Sequence, residues 1–229
     1  MTFNTTDDAE RSAGELSESE LKVVPEPSLR RLPGYVHFLR TLRQRGREVV
    51  STTHIAKDLR LDPTQVRKDL AYTGIIGRPK VGYDVEELIA SIESFLGWNN
   101  SSDAFLVGAG ALGTALLGHE RFAEYGLRFV AAFDQDPSKQ GKEIHGVSVF
   151  GMHKLVDLAR RMHIHIGVLS VPAQGAQEAA ELLMEGGIRA IWNFSPRRIE
   201  VGPDTVVVDA ELYSTLSILK RNLTLIMGR

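Results

Sequence analysis

The feature that most constrains this chain is a glycine-rich loop between a buried strand and a helix. Residues 104–107 predict the strand, residues 114–117 predict the helix, and Gly108, Gly110 and Gly113 between them form G-x-G-x-x-G. In a dinucleotide-binding fold, such glycines let the backbone approach a pyrophosphate whose charge faces the helix N-terminus. With both flanking elements in place, the motif predicts a dinucleotide site. A tight glycine turn without a ligand is the alternative.

An acidic residue ends the next predicted strand. Asp134 directly follows apolar residues 127–133 and lies 21 positions beyond Gly113. A dinucleotide fold places at this point the carboxylate that accepts hydrogen bonds from the adenosine ribose. Because Asp134 would repel a phosphate on the 2′-hydroxyl, the pattern favours NAD(H) over NADP(H).

The sequence beyond Asp134 alternates between strand and helix patterns. Residues 165–171, 190–194 and 206–208 predict strands, and residues 173–185 predict a helix. This alternation predicts a Rossmann-like, doubly wound parallel sheet, in which ligands lie beyond the carboxyl ends of the strands. Ordinary loop roles remain the alternative for the last two strand ends. The predicted cofactor-binding residues are Gly108, Ala109, Gly110, Ala111, Leu112, Gly113, Asp134, Val171, Pro172, Asn193, Phe194 and Ser195.

The distribution of charge divides the chain into unlike parts. Residues 28–83 carry 12 Lys/Arg and 4 Asp/Glu, a net charge of +8, whereas residues 1–27 and 84–229 each carry −5. A basic module inside a nearly neutral chain favours contact with a polyanion such as nucleic acid. Chance clustering of solvated surface charge is the alternative.

The basic segment has the pattern of a winged helix-turn-helix. Residues 28–45 predict a helix with Pro33 in its first turn. Asp62, an N-cap residue, begins another helix over 63–72, and a Gly/Pro-rich stretch at 74–82 predicts a wing. A generic basic three-helix surface is the alternative. The side chains predicted to contact DNA are Thr64, Gln65, Arg67, Lys68, Arg78 and Lys80.

Composition and periodicity predict four segments. Residues 1–27 predict a disordered acidic tail, 28–97 a winged-helix domain, 103–209 an NAD(H)-binding Rossmann domain and 210–229 a dimerisation helix. The last helix has an apolar seam that would dock against a second copy of the chain or pack back onto its own domain. The seam consists of Leu212, Leu216, Leu219 and Leu223.

Several classes of function are disfavoured by what the sequence lacks. Without cysteine it has no disulfide, thiolate metal site or cysteine nucleophile. No apolar run is long enough to span a membrane and the start does not resemble a signal peptide, so a cytoplasmic location is expected. His163 and His165 form a possible metal pair, but no third ligand is evident and structural roles are the simpler interpretation. We therefore predict no metal site, no catalytic residues and no enzyme activity.

The chain resembles the Rex family of redox-sensing transcriptional repressors from Arg31 to Leu223. The resemblance implies a homodimer that binds double-stranded operator DNA, senses the ratio of NADH to NAD⁺, leaves the DNA when NADH binds and exchanges its C-terminal helix between subunits. The matching motifs are Arg31-Leu32-Pro33, Gln65-Val66-Arg67-Lys68-Asp69-Leu70, Gly82-Tyr83, Val85-Glu86-Glu87-Leu88, Val107-Gly108-Ala109-Gly110, Phe133-Asp134, Val171-Pro172-Ala173 and Asn193-Phe194-Ser195-Pro196.

Three positions depart from the pattern of that family. Ala111 replaces a usual Asn, residues 71–77 differ from the usual approach to the wing, and the terminal helix diverges at residues 213–215. Three hypotheses follow: an NADH-responsive repressor, a small NAD-dependent oxidoreductase with an incidental basic domain, and a CoA- or nucleotide-binding regulatory module. The absence of a general acid or base argues against the second hypothesis, and Asp134 argues against the third.

Overall fold

The structure of the chain is a computed structural model that describes residues 24–210 and 212–227. The described residues form two compact units, which divide between Leu96 and Gly97. Of the predicted acidic tail, residues 1–23 lie outside the described residues, and its last two positions belong to the first helix.

The N-terminal unit contains four helices and a two-stranded antiparallel sheet. Ser51, Asp62 and Asp84 cap three of the helices by accepting backbone N–H groups, as short polar side chains do at N-caps. Pro33 lies inside the first helix and not in its first turn, because that helix begins earlier than predicted. The elements are α1 (Glu26–Gln44), β1 (Val49–Val50), α2 (Thr52–Leu59), α3 (Pro63–Ala71), β2 (Tyr83–Asp84) and α4 (Val85–Phe95).

The core of this unit lies between α1, α3 and α4. Apolar side chains spaced three or four residues apart on each helix form one face, and that face is buried. The helix pair α2–α3, with Arg60 in a left-handed conformation in the turn, forms a helix-turn-helix. The largest fully buried side chains are Leu32, Tyr35, Leu39, Ile55, Leu70, Leu88 and Ile92.

The C-terminal unit is a seven-stranded sheet with helices on both faces. Short 3-10 helices at Glu120–Tyr125, Met152–Lys154 and Ala173–Gly175 complete its connections. The elements are β3 (Ser102–Val107), α5 (Ala111–Leu117), β4 (Leu127–Asp134), β5 (Glu143–Ile144), β6 (Val147–Gly151), α6 (Leu155–Met162), β7 (Ile166–Leu169), α7 (Ala176–Glu185), β8 (Ala190–Asn193), β9 (Val206–Asp209) and α8 (Leu212–Met227).

The sheet has the strand order β5-β6-β4-β3-β7-β8-β9, and every pair is parallel except β5 with β6. Without the small strand β5, this is the order 3-2-1-4-5-6 of a Rossmann fold. Helix α5 packs on one face of the sheet and α6 and α7 on the other. The order of the chain therefore reverses between β3 and β7, at the point where such sheets bind ligands. The predicted fold class is confirmed.

Three elements, β5, β6 and α6, were not predicted from the sequence. The hairpin between β5 and β6 turns at His145 and Gly146, with φ of +49° and +80°. Two consecutive residues with positive φ are typical of a two-residue hairpin turn, but its usual first residue is Asn, Asp or Gly. Because His145 replaces them, the sequence gives no strong hairpin signal here.

Helix α8 is exposed over all its described side chains. Leu216, Leu219 and Leu223 of the predicted seam are half or more exposed, so these leucines do not pack back onto the described part of their own chain. The side chain of Leu212 and residues 211, 228 and 229 are outside the described part. None of the helices that the structure describes is long and apolar enough to span a membrane.

Candidate nucleotide-binding and DNA-binding sites

A cavity of about 770 Å³ opens at the carboxyl ends of β3, β4 and β7. Its position is the point where the strand order reverses, and its volume is in the range of small-molecule sites. The cavity is lined by Val107, Gly108, Gly110, Phe133, Asp134, Gln135, Asp136, Lys139, Met152, Ser170, Val171, Pro172, Gln174, Gly175, Glu178, Ala179 and Leu182.

Two of the three motif glycines are required by the fold. Gly108 has φ of +96°, and a Cβ there would lie 2.5 Å from the carbonyl oxygen of Ser170. A Cβ on Gly113 would collide with the carbonyl oxygen of Gly108. No side chain fits at either position without moving backbone, so these glycines permit the close packing of the loop against β7 and α5.

Gly110 has no comparable structural requirement. Its φ of −79° suits any residue, and a Cβ there would meet nothing within 4 Å. Gly110 nevertheless lines the cavity. A side chain at this position would occupy space that the protein leaves open, so the fold itself does not require a glycine here.

Asp134 ends β4 at the cavity and is 7% exposed. Its Oδ2 accepts hydrogen bonds from the backbone N–H of Ala109, at 2.8 Å, and from Lys139 Nζ, at 2.9 Å. Its Oδ1 accepts one from the backbone N–H of Asp136, at 2.9 Å. Since an ionised carboxylate has about four acceptor positions, Oδ1 retains capacity for a ligand hydroxyl.

Lys139 is a residue that the sequence analysis missed. It follows Asp134 by five positions, beyond the reach of a strand or helix periodicity argument. A turn at Asp136, whose carbonyl accepts the backbone N–H of Lys139, returns the chain to the cavity. The only sequence signal was a basic residue close to a predicted ligand-binding acid.

The far strand ends contribute unequally. Val171 and Pro172 line the cavity, as predicted, but Asn193, 1% exposed, does not. Its amide nitrogen donates to Asp209 Oδ1 at 2.7 Å and to a backbone carbonyl, and its Oδ1 accepts the backbone N–H of Ser195. Phe194 packs against Trp192 with ring centroids 4.6 Å apart. The predicted cofactor-binding residues that do not line the cavity are Ala109, Ala111, Leu112, Gly113, Asn193, Phe194 and Ser195.

The histidine pair has structural positions. His163 is the C-cap of α6, in a left-handed conformation with φ of 52°. The backbone carbonyl of His165 accepts the N–H groups of Arg189 and Ala190. Within residues 24–210 and 212–227, the structure contains no group of three or more residues able to hold a metal ion.

The predicted DNA-contacting helix is α3. Thr64, Arg67 and Lys68 are exposed on it, whereas Gln65 is only partly exposed because its amide donates to Asp69 Oδ1 at 2.8 Å. Asp62 accepts the backbone N–H groups of Gln65 and Thr64. These hydrogen bonds lower the pKa of Asp62 and so favour the ionised form of the carboxylate that caps the helix.

Asp69 on α3 is fully buried and was not among the predicted site residues. It accepts hydrogen bonds from Arg31, Tyr35 and Gln65. Burial alone would raise the pKa of Asp69, but these hydrogen bonds, with one from Ser28, outweigh it and lower the pKa to about 2. Burial, followed by the hydrogen bond to Asp69, raises the pKa of Tyr35. The network fixes α3 to α1 beneath the exposed surface of α3.

The predicted wing is a small hairpin. The backbone N–H of Arg78 donates to Gly82 at 2.7 Å, and the N–H of Gly82 donates back at 2.9 Å. Lys80, at the tip, has φ of 62° and is exposed. Arg78 is also exposed and forms a loose ion pair with Glu87 at 3.5 Å. Both predicted wing cations therefore lie on an accessible loop.

Two family models match the chain. Residues 23–71 match a model described as a putative DNA-binding protein N-terminus, and residues 99–197 match one described as a CoA binding domain. The matched ranges contain the helix-turn-helix and most of the parallel sheet, respectively.

A curated relative decides the family. The redox-sensing transcriptional repressor Rex of Treponema denticola is 50% identical over 190 residues, covering 83% of this chain and 90% of that protein. The chain belongs to the Rex family of redox-sensing transcriptional repressors. Rex of Bacteroides fragilis is 44% identical over 196 residues, covering 86% of this chain and 89% of that protein.

A solved structure has the same architecture over most of the chain. The crystal structure of RSP in complex with beta-NAD⁺ and operator DNA has a TM-score of 0.84 and 30% identity, covering 89% of this chain and 94% of RSP. RSP has also been crystallised with beta-NADH. Because Rex proteins are transcriptional repressors and not enzymes, the family confirms the prediction that this chain is no enzyme. The oxidoreductase hypothesis is not favoured.

Proposed function

We propose that this Rex protein is a transcriptional repressor that binds operator DNA as a homodimer and leaves it when NADH occupies the cavity beside Asp134. The observation that carries the proposal is Gly110, because the absence of a side chain there leaves space for the pyrophosphate of a dinucleotide next to the buried carboxylate of Asp134. RSP, solved with NAD⁺, NADH and operator DNA, supports the same three ligands for this chain. Binding of NAD⁺, in contrast, would allow the protein to bind DNA.

The dinucleotide would be held mainly by the glycine loop and by Asp134. Gly108 and Gly113 shape the loop, and Gly110 admits the pyrophosphate. Asp134, oriented by the N–H of Ala109, accepts the ribose hydroxyls through its remaining acceptor capacity. Val171 and Pro172 line the opposite wall. The loops around the ligand would be shaped by Ala111, Leu112, Asn193, Phe194 and Ser195.

The cofactor supplies a signal rather than a reaction. Bound NADH or NAD⁺ reports the redox state of the cell through the oxidation state of its nicotinamide. The residues of this chain bind and orient it, and the cavity lining offers Asp134, Asp136, Lys139 and Glu178 as its ionisable groups. We assign none of them to hydride or proton transfer.

Operator DNA would be read by α3 and the wing. Exposed Thr64, Arg67 and Lys68 suit base edges and phosphates of the major groove, and Gln65 adds a side chain partly engaged by Asp69. Arg78 and Lys80 on the wing suit the adjacent phosphates or minor groove. The network around Asp69 would hold this surface in one orientation.

A second copy of the chain is the proposed partner of α8. The helix exposes leucines at three- and four-residue spacing, a seam that one chain does not cover. A twofold dimer would present two copies of α3 about one turn of B-DNA, or ~34–36 Å, apart. We place the dimer in the cytoplasm, where a repressor meets bacterial DNA.

Residues 99–197 match a family model described as a CoA binding domain, so a CoA-binding module is the alternative function. Ligand binding distinguishes the two functions. Calorimetric titration of the full chain with NADH, NAD⁺ and CoA should show one NADH site per chain and no CoA binding. Gel shifts of genomic fragments should then show shifted DNA that NADH releases. CoA binding with no NADH binding would overturn the proposal.

A further inference from the structure

Lys139 and Asp134 form a close ion pair at the wall of the cavity. Lys139 Nζ lies 2.9 Å from Asp134 Oδ2, and the exposed fractions of the two side chains are 33% and 8%. Both residues line the cavity. The lysine is thus open to the cavity while its partner is almost enclosed.

The chain holds Lys139 in this position by local hydrogen bonds. The backbone N–H of Asp136 donates to Asp134 Oδ1, and the N–H of Ser138 donates to Asp136 Oδ1. The backbone N–H of Lys139 donates to the Asp136 carbonyl, and the amide of Gln140 donates to the Asp134 carbonyl. The turn therefore fixes the lysine backbone, and only the side chain has freedom to move.

Lys139 is also the only cation among the described residues that line the cavity, where Asp136 and Glu178 add negative charge. A phosphate on the adenosine 2′-hydroxyl would approach Asp134 and meet repulsion. Among the described lining residues, Lys139 is therefore the one charged group that would attract such a phosphate.

We propose that Lys139 is a specificity-determining residue that Asp134 keeps from acting as a ligand of a 2′-phosphate. This inference rests on the proposed NADH function of the same cavity. The carboxylate of Asp134 engages the ammonium group and accepts the ribose hydroxyls, so NADH is preferred. When asparagine replaces Asp134, the ammonium group is available to a 2′-phosphate and the preference moves toward NADPH.

A set of four variants of the full chain tests this role: Asp134→Asn, Lys139→Gln, the double variant, and Lys142→Gln as a control. Lys142 is an exposed lysine that does not line the cavity. Affinities for NADH and NADPH are measured through the fluorescence of the nucleotides. Asp134→Asn should move the NADPH-to-NADH affinity ratio toward NADPH by about tenfold or more, and adding Lys139→Gln should reverse most of that gain. Lys142→Gln should leave the ratio unchanged.

The single variant Lys139→Gln provides a second test that keeps Asp134 in place. Because Asp134 already holds the ammonium group, removing it should change the NADPH-to-NADH affinity ratio much less here than in the Asp134→Asn background. The inference is overturned if NADPH binds the double variant as tightly as Asp134→Asn, or if Lys139→Gln lowers the NADPH-to-NADH affinity ratio as much with Asp134 in place as it does in the Asp134→Asn background. In either case normal binding of NADH by the unaltered chain leaves the proposed function standing, whereas no NADH binding overturns that function itself.

Discussion

The guanidinium group of Arg31 on α1 meets the buried carboxylate of Asp69 on α3 through two hydrogen bonds, of 2.7 and 2.9 Å. Tyr35 adds a third at 2.6 Å. Because Asp69 immediately follows the exposed Arg67 and Lys68, this ion pair holds in place the part of α3 that carries the side chains proposed to contact DNA. Asp69 therefore contributes both to the stability of the N-terminal unit and to the placement of its proposed DNA-binding helix.

Replacing Asp69 with Asn should lower the free energy of unfolding by about 3 kcal/mol at pH 7, because it leaves Arg31 without its counter-charge. Tyr35→Phe, which keeps the ion pair, should cost only about 1–2 kcal/mol. Urea denaturation followed by circular dichroism measures both. Equal costs for the two variants would contradict the central role of the charge pair.

The same residue predicts a dependence of stability on pH. The folded-state pKa of Asp69 is about 2, below its ordinary value of 3.8. A lowered pKa means that the ionised form stabilises the fold, by an amount on the order of 2 kcal/mol that is complete above about pH 5 and is lost as the pH falls from 4 toward 2. The stability difference between the unaltered chain and Asp69→Asn should therefore narrow over that interval. A constant difference would show that Asp69 does not titrate there.

Substitutions on the exposed surface of α3 should weaken DNA binding without affecting the cavity. Arg67→Ala should cost about 1–3 kcal/mol of operator affinity if the side chain contacts a base, and Lys68→Ala should reduce the salt dependence of binding by about one ion. Arg161→Ala is the control, since that arginine is exposed on α6 in the other unit. Unchanged operator affinity in the α3 variants would remove this helix from the DNA surface.

Two motif glycines should respond differently to the same added methyl group. Gly110→Ala should retain full stability, because a Cβ there meets no protein atom within 4 Å, but weaken NADH binding by about tenfold or more, because the position lines the cavity. Gly113→Ala should destabilise the fold by at least about 2 kcal/mol, because its Cβ would collide with the backbone of Gly108. Gly202→Ala, another position with no atom within 4 Å, is the control for Gly110. Thermal unfolding and NADH titration distinguish the three, and unimpaired NADH binding by Gly110→Ala would place the pyrophosphate elsewhere.

Helix α8 should be required for dimer formation. A chain that ends at Ala210 keeps the hydrogen bond between Asn193 and Asp209 but lacks the helix, and should be monomeric or aggregate in analytical ultracentrifugation. Leu219→Glu should weaken the dimer, whereas Ser217→Glu, off the leucine seam, should affect it much less. A truncated chain that remains a dimer and still releases DNA with NADH would contradict the assignment.

The sequence predicts those parts of the cavity that depend on neighbours along the chain. The strand, loop and helix around Gly108 follow from local apolar runs and glycine spacing, and Asp134 follows from the end of the next strand. The position of Lys139 could not be predicted in this way, because a turn held by Asp136 brings the residue back to the cavity. Its role depends on a contact that no periodicity encodes.

Long-range contacts explain the other differences. Asn193 was expected near the nicotinamide, but Asp209, 16 positions later, binds its amide and keeps it buried. Asp69 looks like an ordinary polar helix residue until Arg31, 38 positions earlier, is placed beside it. Both cases concern a polar side chain whose partner is set by tertiary packing.

NADH and operator DNA are proposed to bind the same dimer antagonistically. The affinity of the full chain for a DNA fragment is therefore measured at increasing NADH, and its affinity for NADH is measured with and without saturating DNA. Thermodynamic linkage requires both affinities to fall by one common factor. We predict that the two affinities fall by the same factor, and that operator affinity declines to a plateau as NADH saturates the cavity. An operator affinity that stays constant while NADH saturates the cavity would contradict the account.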